Sequence, residues 1–158
     1  MRHRAFLPES MTILTEPFRH HHKLCDDLFV AAETAVAAKD WAAAGNALAA
    51  FHAELEKHFR TEEEVLFPAF EAATGMTMGP TRMMRSEHAQ MRELLDQMDA
   101  ALGGLDGDGF AGAAETLLIF MQQHNMKEEN ILYPMCDRGL AEQADARAPV
   151  LHDRLGGA

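Results

Sequence analysis

Four histidines and two glutamates are the residues of this 158-residue chain whose types and spacing could do chemistry. His22 (or its neighbour His21), His58, His88 and His124 each interrupt an otherwise apolar line of helical period. His58-x-x-x-Glu62 and His124-x-x-x-Glu128 set a carboxylate one turn behind an imidazole, on the same helix face. Four imidazoles and two carboxylates in one buried layer are very costly without compensation. A pair of divalent metal ions supplies the missing positive charge. The nitrogen and oxygen donors suit iron, manganese or zinc better than a thiolate-seeking metal. No nucleophile paired with a base is apparent, and no phosphate-cradling glycine loop.

These residues need four helices to hold them. Glu16-Pro17 opens the first, whose inner line is Phe18, Cys25, Phe29, Ala32 and Val36. Asp40 is a good N-cap for a second helix starting at Trp41, with inner line Leu48, Phe51, Leu55, His58, Glu62, Val65 and Ala69. It stops at Thr74-Gly75, where glycine can take a left-handed cap. The third runs from about Thr81 to Leu102 along Met84, His88, Met91, Leu95, Met98 and Leu102. After the break Gly103–Gly109, the fourth runs from about Phe110 to Asp137 along Ala114, Leu117, Met121, His124, Glu128, Ile131 and Met135. The expected fold is all-α, an antiparallel up-down four-helix bundle over about 16–138 within one domain, 1–158. An N-terminal arm, 1–15, precedes it. A polar C-terminal tail, 139–158, follows as a short helix or a loose end.

The histidines fall at equal depth in such a bundle. The midpoints of 22 and 58, 58 and 88, and 88 and 124 are 40, 73 and 106, and each lies at a predicted turn. The four imidazoles therefore form one layer, about 22–27 Å from the turns at ~1.5 Å per residue.

Composition agrees. Ala (27) and Leu (17) far outnumber Val and Ile (seven together), which favours helix over strand. The net charge of -11 opposes binding to nucleic acid or an anionic membrane surface. No apolar run is long enough to span a bilayer, and no signal-peptide stretch precedes Pro8. Two cysteines make no disulfide framework, and a reducing cytoplasm is the expected location. Cys25 and Cys136 stand at different depths and are expected not to pair.

The two ligand segments also match each other. His58-Phe-Arg-Thr-Glu-Glu-Glu-Val-Leu-Phe-Pro68 and His124-Asn-Met-Lys-Glu-Glu-Asn-Ile-Leu-Tyr-Pro134 share H-x3-E-E-x2-L-[F/Y]-P. With this doubled motif and the outer histidines, the sequence resembles the hemerythrin-like, HHE cation-binding family over about residues 16–137. The resemblance implies a non-haem di-iron centre held by His22, His58, Glu62, His88, His124 and Glu128, with the two glutamates bridging. The pattern H-x2-C-D-x-L-F favours His22 over His21. Oxygen-carrying hemerythrins place a further histidine where this chain has Met84, which argues against simple reversible oxygen carriage.

The expected function is binding or sensing of oxygen, nitric oxide or a related small oxidant at two iron ions, by a monomer or homodimer, with manganese or zinc as possible substitutes. The alternatives are an enzyme consuming peroxide or nitric oxide, and an iron donor for iron-sulfur repair. Glu63, Glu64 and Glu129 are expected to face outward, Glu87 to face outward or to support a ligand from behind, and Pro68 and Pro134 to bend their helices.

Overall fold

The computed structural model describes residues 13–156, and the described residues are helical, with no strand. The helices are α1 (Glu16–Ala37), α2 (Trp41–Thr61), α3 (Phe67–Thr74), α4 (Pro80–Gly103), α5 (Gly107–Lys127), α6 (Tyr133–Gly139) and α7 (Ala144–Arg154). Two π-helical turns, Glu62–Leu66 and Glu128–Leu132, join α2 to α3 and α5 to α6. Four long rods result: α1, α2 with α3, α4, and α5 with α6. Contacts run between α1 and α2, α4 and α5, α1 and α5, and α2 and α4.

The ends are set by local chemistry. The Asp40 carboxylate accepts a hydrogen bond from the Ala43 amide at 3.1 Å, and Asp106 accepts one from Gly109 at 2.9 Å. A side chain at position 109 would displace the capping carboxylate. Gly75 closes α3 at φ +73°, where a Cβ would be strained.

The π turns shift the inner face. Each adds a residue to one helical turn, just before a proline that has no N–H to give. The core therefore continues through Leu66, Phe67 and Phe70 after Glu62, and through Leu132, Tyr133 and Cys136 after Glu128. The unbroken helical period places Val65 and Ile131 on this line instead. Val65 is only partly buried, and Ile131 is 55% exposed.

Two apolar clusters flank the polar layer. One gathers Phe29, Phe51, Phe59, Leu95, Met98, Phe110 and Leu117 from the four rods. The other gathers Leu14, Phe18, Phe67, Phe70, Tyr133 and Leu140 with Leu151 and Leu155. The C-terminal segment is thus the short helix of the two options: α7 buries Leu151 there, Leu155 just beyond it does the same, and Arg154 reaches Glu64 at 3.0 Å. Of the expected N-terminal arm, residues 1–12 lie outside the described residues. Thr15 is buried and donates from its hydroxyl to Asp137 at 2.8 Å. Cys25 and Cys136 are both free and buried.

Candidate metal centre

The six residues singled out by sequence come together in the buried layer. Glu62, His88, His124 and Glu128 form one group and His22, His58 and Glu128 another, each with its ligand atoms within 4.8 Å of one another. All six are buried. Glu62 Oε1 lies 3.4 Å from His58 Nε2 and 3.2 Å from His88 Nε2. Glu128 Oε1 lies 3.1 Å from His22 Nε2 and 3.2 Å from His124 Nε2. Each carboxylate thus stands between two imidazoles from different rods.

The layer is incompletely paired. Among the described residues, Glu62 Oε1, Glu128 Oε2, His22 Nδ1, His88 Nε2 and His124 Nε2 are buried without a hydrogen-bond partner. Each such atom costs about 1–3 kcal/mol. Burial and the neighbouring Glu128 carboxylate push the Glu62 carboxyl well above its ordinary range, so without a cation one of the pair holds a proton. Burial works against charge on His22, but the Glu128 and Glu129 carboxylates raise it to about 9. Burial likewise opposes charge on His124, and Glu128 raises it to about 8. Orphaned donor atoms converging beside two carboxylates fit divalent metal, which would satisfy them together.

Behind the layer, each imidazole meets an outer carboxylate, directly or through a second imidazole. Glu63 accepts from His88 Nδ1 at 2.8 Å, and Glu87 accepts from His124 Nδ1 at 2.9 Å. Glu129 lies 3.5 Å from His22 Nδ1. For His58 the partner is His21, whose Nδ1 is 2.9 Å from His58 Nδ1 and whose Nε2 donates to Glu54 at 2.7 Å. Arg92 holds Glu63 through bonds of 2.9 and 3.0 Å, and Lys127 pairs with Glu87. Burial opposes charge on Glu63, but hydrogen bonds from His88 and Arg92 hold its carboxyl down at about 2. Such partners fix the ring tautomer and orientation of a metal-ligating histidine.

Glu63 therefore does not simply face solvent as its position suggests, and Glu87 takes the supporting place also open to it; each braces the imidazole of another rod, while Glu129 stands beside His22 without a hydrogen bond to it. Glu64 does face outward. Sequence reasoning also misses Tyr133, whose hydroxyl lies inside the layer: it donates to Glu62 at 2.9 Å and is 3.3 Å from His22 Nε2 and from His58 Nε2. Met84 is buried one turn before His88. An open cleft of about 590 Å³, lined by His20, Leu24, Lys57 and His152, reaches His21 and Glu54 from outside.

Fold and site define an all-helical protein with a buried histidine–carboxylate cluster suited to cations. The chain belongs to the hemerythrin HHE cation-binding domain family, whose model matches residues 13–136. Among curated proteins it is similar to the iron-sulfur cluster repair protein YtfE of Escherichia coli O81 (strain ED1a), 30% identical over 96 residues. The same protein of E. coli O1:K1 and of Escherichia fergusonii is 29% identical over the same length. Each match covers 55% of this chain and 44% of the relative, so it spans less than half of the relatives' length. No solved structure matches the chain significantly.

Proposed function

We propose that this chain is an antiparallel up-down four-helix bundle whose buried layer holds two iron ions and binds oxygen, nitric oxide or a related small oxidant. The observation that carries the reading is the placement of Glu62 and Glu128, each between two imidazoles of different rods, with donor atoms orphaned around them. The up-down arrangement is favoured by two cross-helix ring pairs, Phe29 with Phe51 and His22 with His58. Their residue numbers sum to the same value, as in helices running opposite ways about a turn near 40.

His22 and His58 would hold one ion, His88 and His124 the other, with Glu62 and Glu128 bridging. Manganese or zinc suit the same donors. When bound, the iron pair supplies one-electron redox chemistry and coordination positions for a small ligand. The protein's part is to keep each Nε2 as a lone pair by holding the proton on Nδ1, toward Glu63, Glu87, Glu129 and His21. The two apolar clusters exclude bulk water, and Arg92 and Lys127 balance the outer carboxylates.

A second reading, iron donation in iron-sulfur repair, is favoured by the names of the relatives and by Met84. With methionine at that position, neither ion has more than two imidazoles, which suits iron that can be given up. Turnover of peroxide or nitric oxide is a further alternative for the same site. The reading includes a cytoplasmic monomer or homodimer with no nucleic-acid or membrane partner. The charge of -11 favours this, as do the two free thiols and the lack, among the described residues, of a helix able to cross a membrane.

Metal analysis of anaerobically purified protein, with optical spectra before and after oxygen or nitric oxide, tests the first reading. Two iron ions per chain and a stoichiometric spectral change are expected. Rapid transfer of iron to an apo-acceptor with no small-molecule binding favours the second. Glu62→Ala and Glu128→Ala should each retain at most one tightly held ion, and retention of two would remove the bridging role.

A further inference from the structure

The two halves of the doubled motif differ at one inward position: Phe67 in the first, Tyr133 in the second. Both are fully buried. The π turns explain why they point inward. In each turn the amide of the residue five places on donates to the glutamate carbonyl, Phe67 to Glu62 and Tyr133 to Glu128. A wider turn brings the fifth residue back toward the side on which the glutamate lies. Phe67 spends this placement on apolar packing, its ring stacked 5.9 Å from that of His88. Tyr133 carries a hydroxyl into the layer instead.

That hydroxyl is surrounded by ligand atoms. It lies 3.3 Å from His22 Nε2, 3.3 Å from His58 Nε2, 2.9 Å from Glu62 Oε2 and 3.2 Å from Glu128 Oε1. The side chain has nowhere else to go. Its ring lies 5.5 Å from that of Phe18 and stacks at 5.7 Å on that of His22, and the Arg19 guanidinium covers it at 5.7 Å. An ion drawn to these two imidazoles and two carboxylates meets the phenol oxygen as a neighbour.

We propose that the Tyr133 oxygen is itself a ligand of the ion held by His22 and His58. This rests on the metal-centre reading above and adds a seventh residue to its donor set. The hydroxyl proton is lost to solvent on binding, as for any protic ligand displaced by a metal. The consequence is a difference between the two ions. The His22–His58 side is filled by protein oxygen, and a small ligand is directed to the His88–His124 side. There the rings of Phe59 and Phe67 lie 4.1 and 5.9 Å from that of His88.

Tyr133 is the sole tyrosine of the chain, so a tyrosinate signal has one source. The experiment loads metal-free full-length protein and Tyr133→Phe with ferrous iron, oxidises both in air, counts iron and records visible absorption and resonance Raman spectra. Phenylalanine stands at the matched position of the other half, so the variant keeps an apolar ring in place. The native protein should show phenolate-to-iron charge transfer with tyrosinate ring vibrations, and Tyr133→Phe should bind iron without them. Iron bound by the native protein with no tyrosinate vibrations overturns the ligand and leaves the metal centre standing. No bound iron in either protein overturns both.

Discussion

His21 and His58 meet nitrogen to nitrogen: their Nδ1 atoms are 2.9 Å apart and their rings nearly parallel, at 11°. Only one of two facing nitrogens can carry the proton. If His58 presents Nε2 to an ion, its Nδ1 donates and His21 Nδ1 accepts, which leaves His21 Nε2 to donate to Glu54. Burial keeps His21 below its ordinary basicity, in line with a neutral ring that accepts.

It follows that His21→Ala should weaken metal binding although His21 need not touch metal. Loss of such a partner typically costs about 10–100-fold in affinity. His20→Ala, at an exposed neighbour paired with Glu16, should change affinity little. Competition with a chelator measures both. Equal affinities for the two variants would separate His21 from the site.

Glu63 and Glu64 are adjacent and should behave oppositely. Glu63 ties His88 to Arg92, whereas Glu64 pairs at the surface with Arg60 and Arg154. Glu63→Ala should lower metal affinity by about 10-fold or more. Glu64→Ala should stay within ~0.5 kcal/mol in stability and leave affinity unchanged. Chelator titrations alongside urea melts check the pair, and a silent Glu63→Ala would make its bond to His88 incidental.

The metal-free protein should lose stability as pH rises from about 6.5 to about 9. His22 and His124 are raised in the folded chain, to about 9 and about 8, above the ordinary 6.5. Their protonation therefore stabilises the fold fully below pH ~6.5, and the gain disappears as pH climbs through the folded values. Metal-bound imidazoles are already deprotonated, so the loaded protein should show no such fall. Thermal melts of both forms across this range decide it; a flat metal-free profile would contradict the assignment.

Met84→His should add an imidazole one turn before His88, on its face. Iron release to a chelator should slow by at least about 10-fold if the new ring binds. Nitric oxide binding, followed optically, should weaken because the same side is then filled. Faster release would show that position 84 does not face the ions.

Much of this arrangement is legible in the chain. Asp40 and Gly75 mark their turns by ordinary capping chemistry, and the equal spacing of His22, His58, His88 and His124 about the turns foretells one layer. What the period hides begins at Glu62 and Glu128. A helical count assumes one rise and one rotation throughout, so it carries Val65 and Ile131 inward and leaves Tyr133 out. The signal was the proline that ends each L-[F/Y]-P: it marks where regular hydrogen bonding must give way. The outer carboxylates are less legible for another reason. Glu63 serves an imidazole on α4 and Glu87 one on α5, pairings that depend on how the rods face one another.

The doubled motif carries a consequence for symmetry. Two identical hairpins coming together could build a layer with the same donors, but every residue on one side would be repeated on the other. A single chain is released from that constraint. It can keep Glu62 and Glu128 as matching halves while assigning a phenyl ring to one side and a phenol to the other. Two chemically unlike places are thus obtained from one repeated pattern, at the cost of a single oxygen atom between Phe67 and Tyr133.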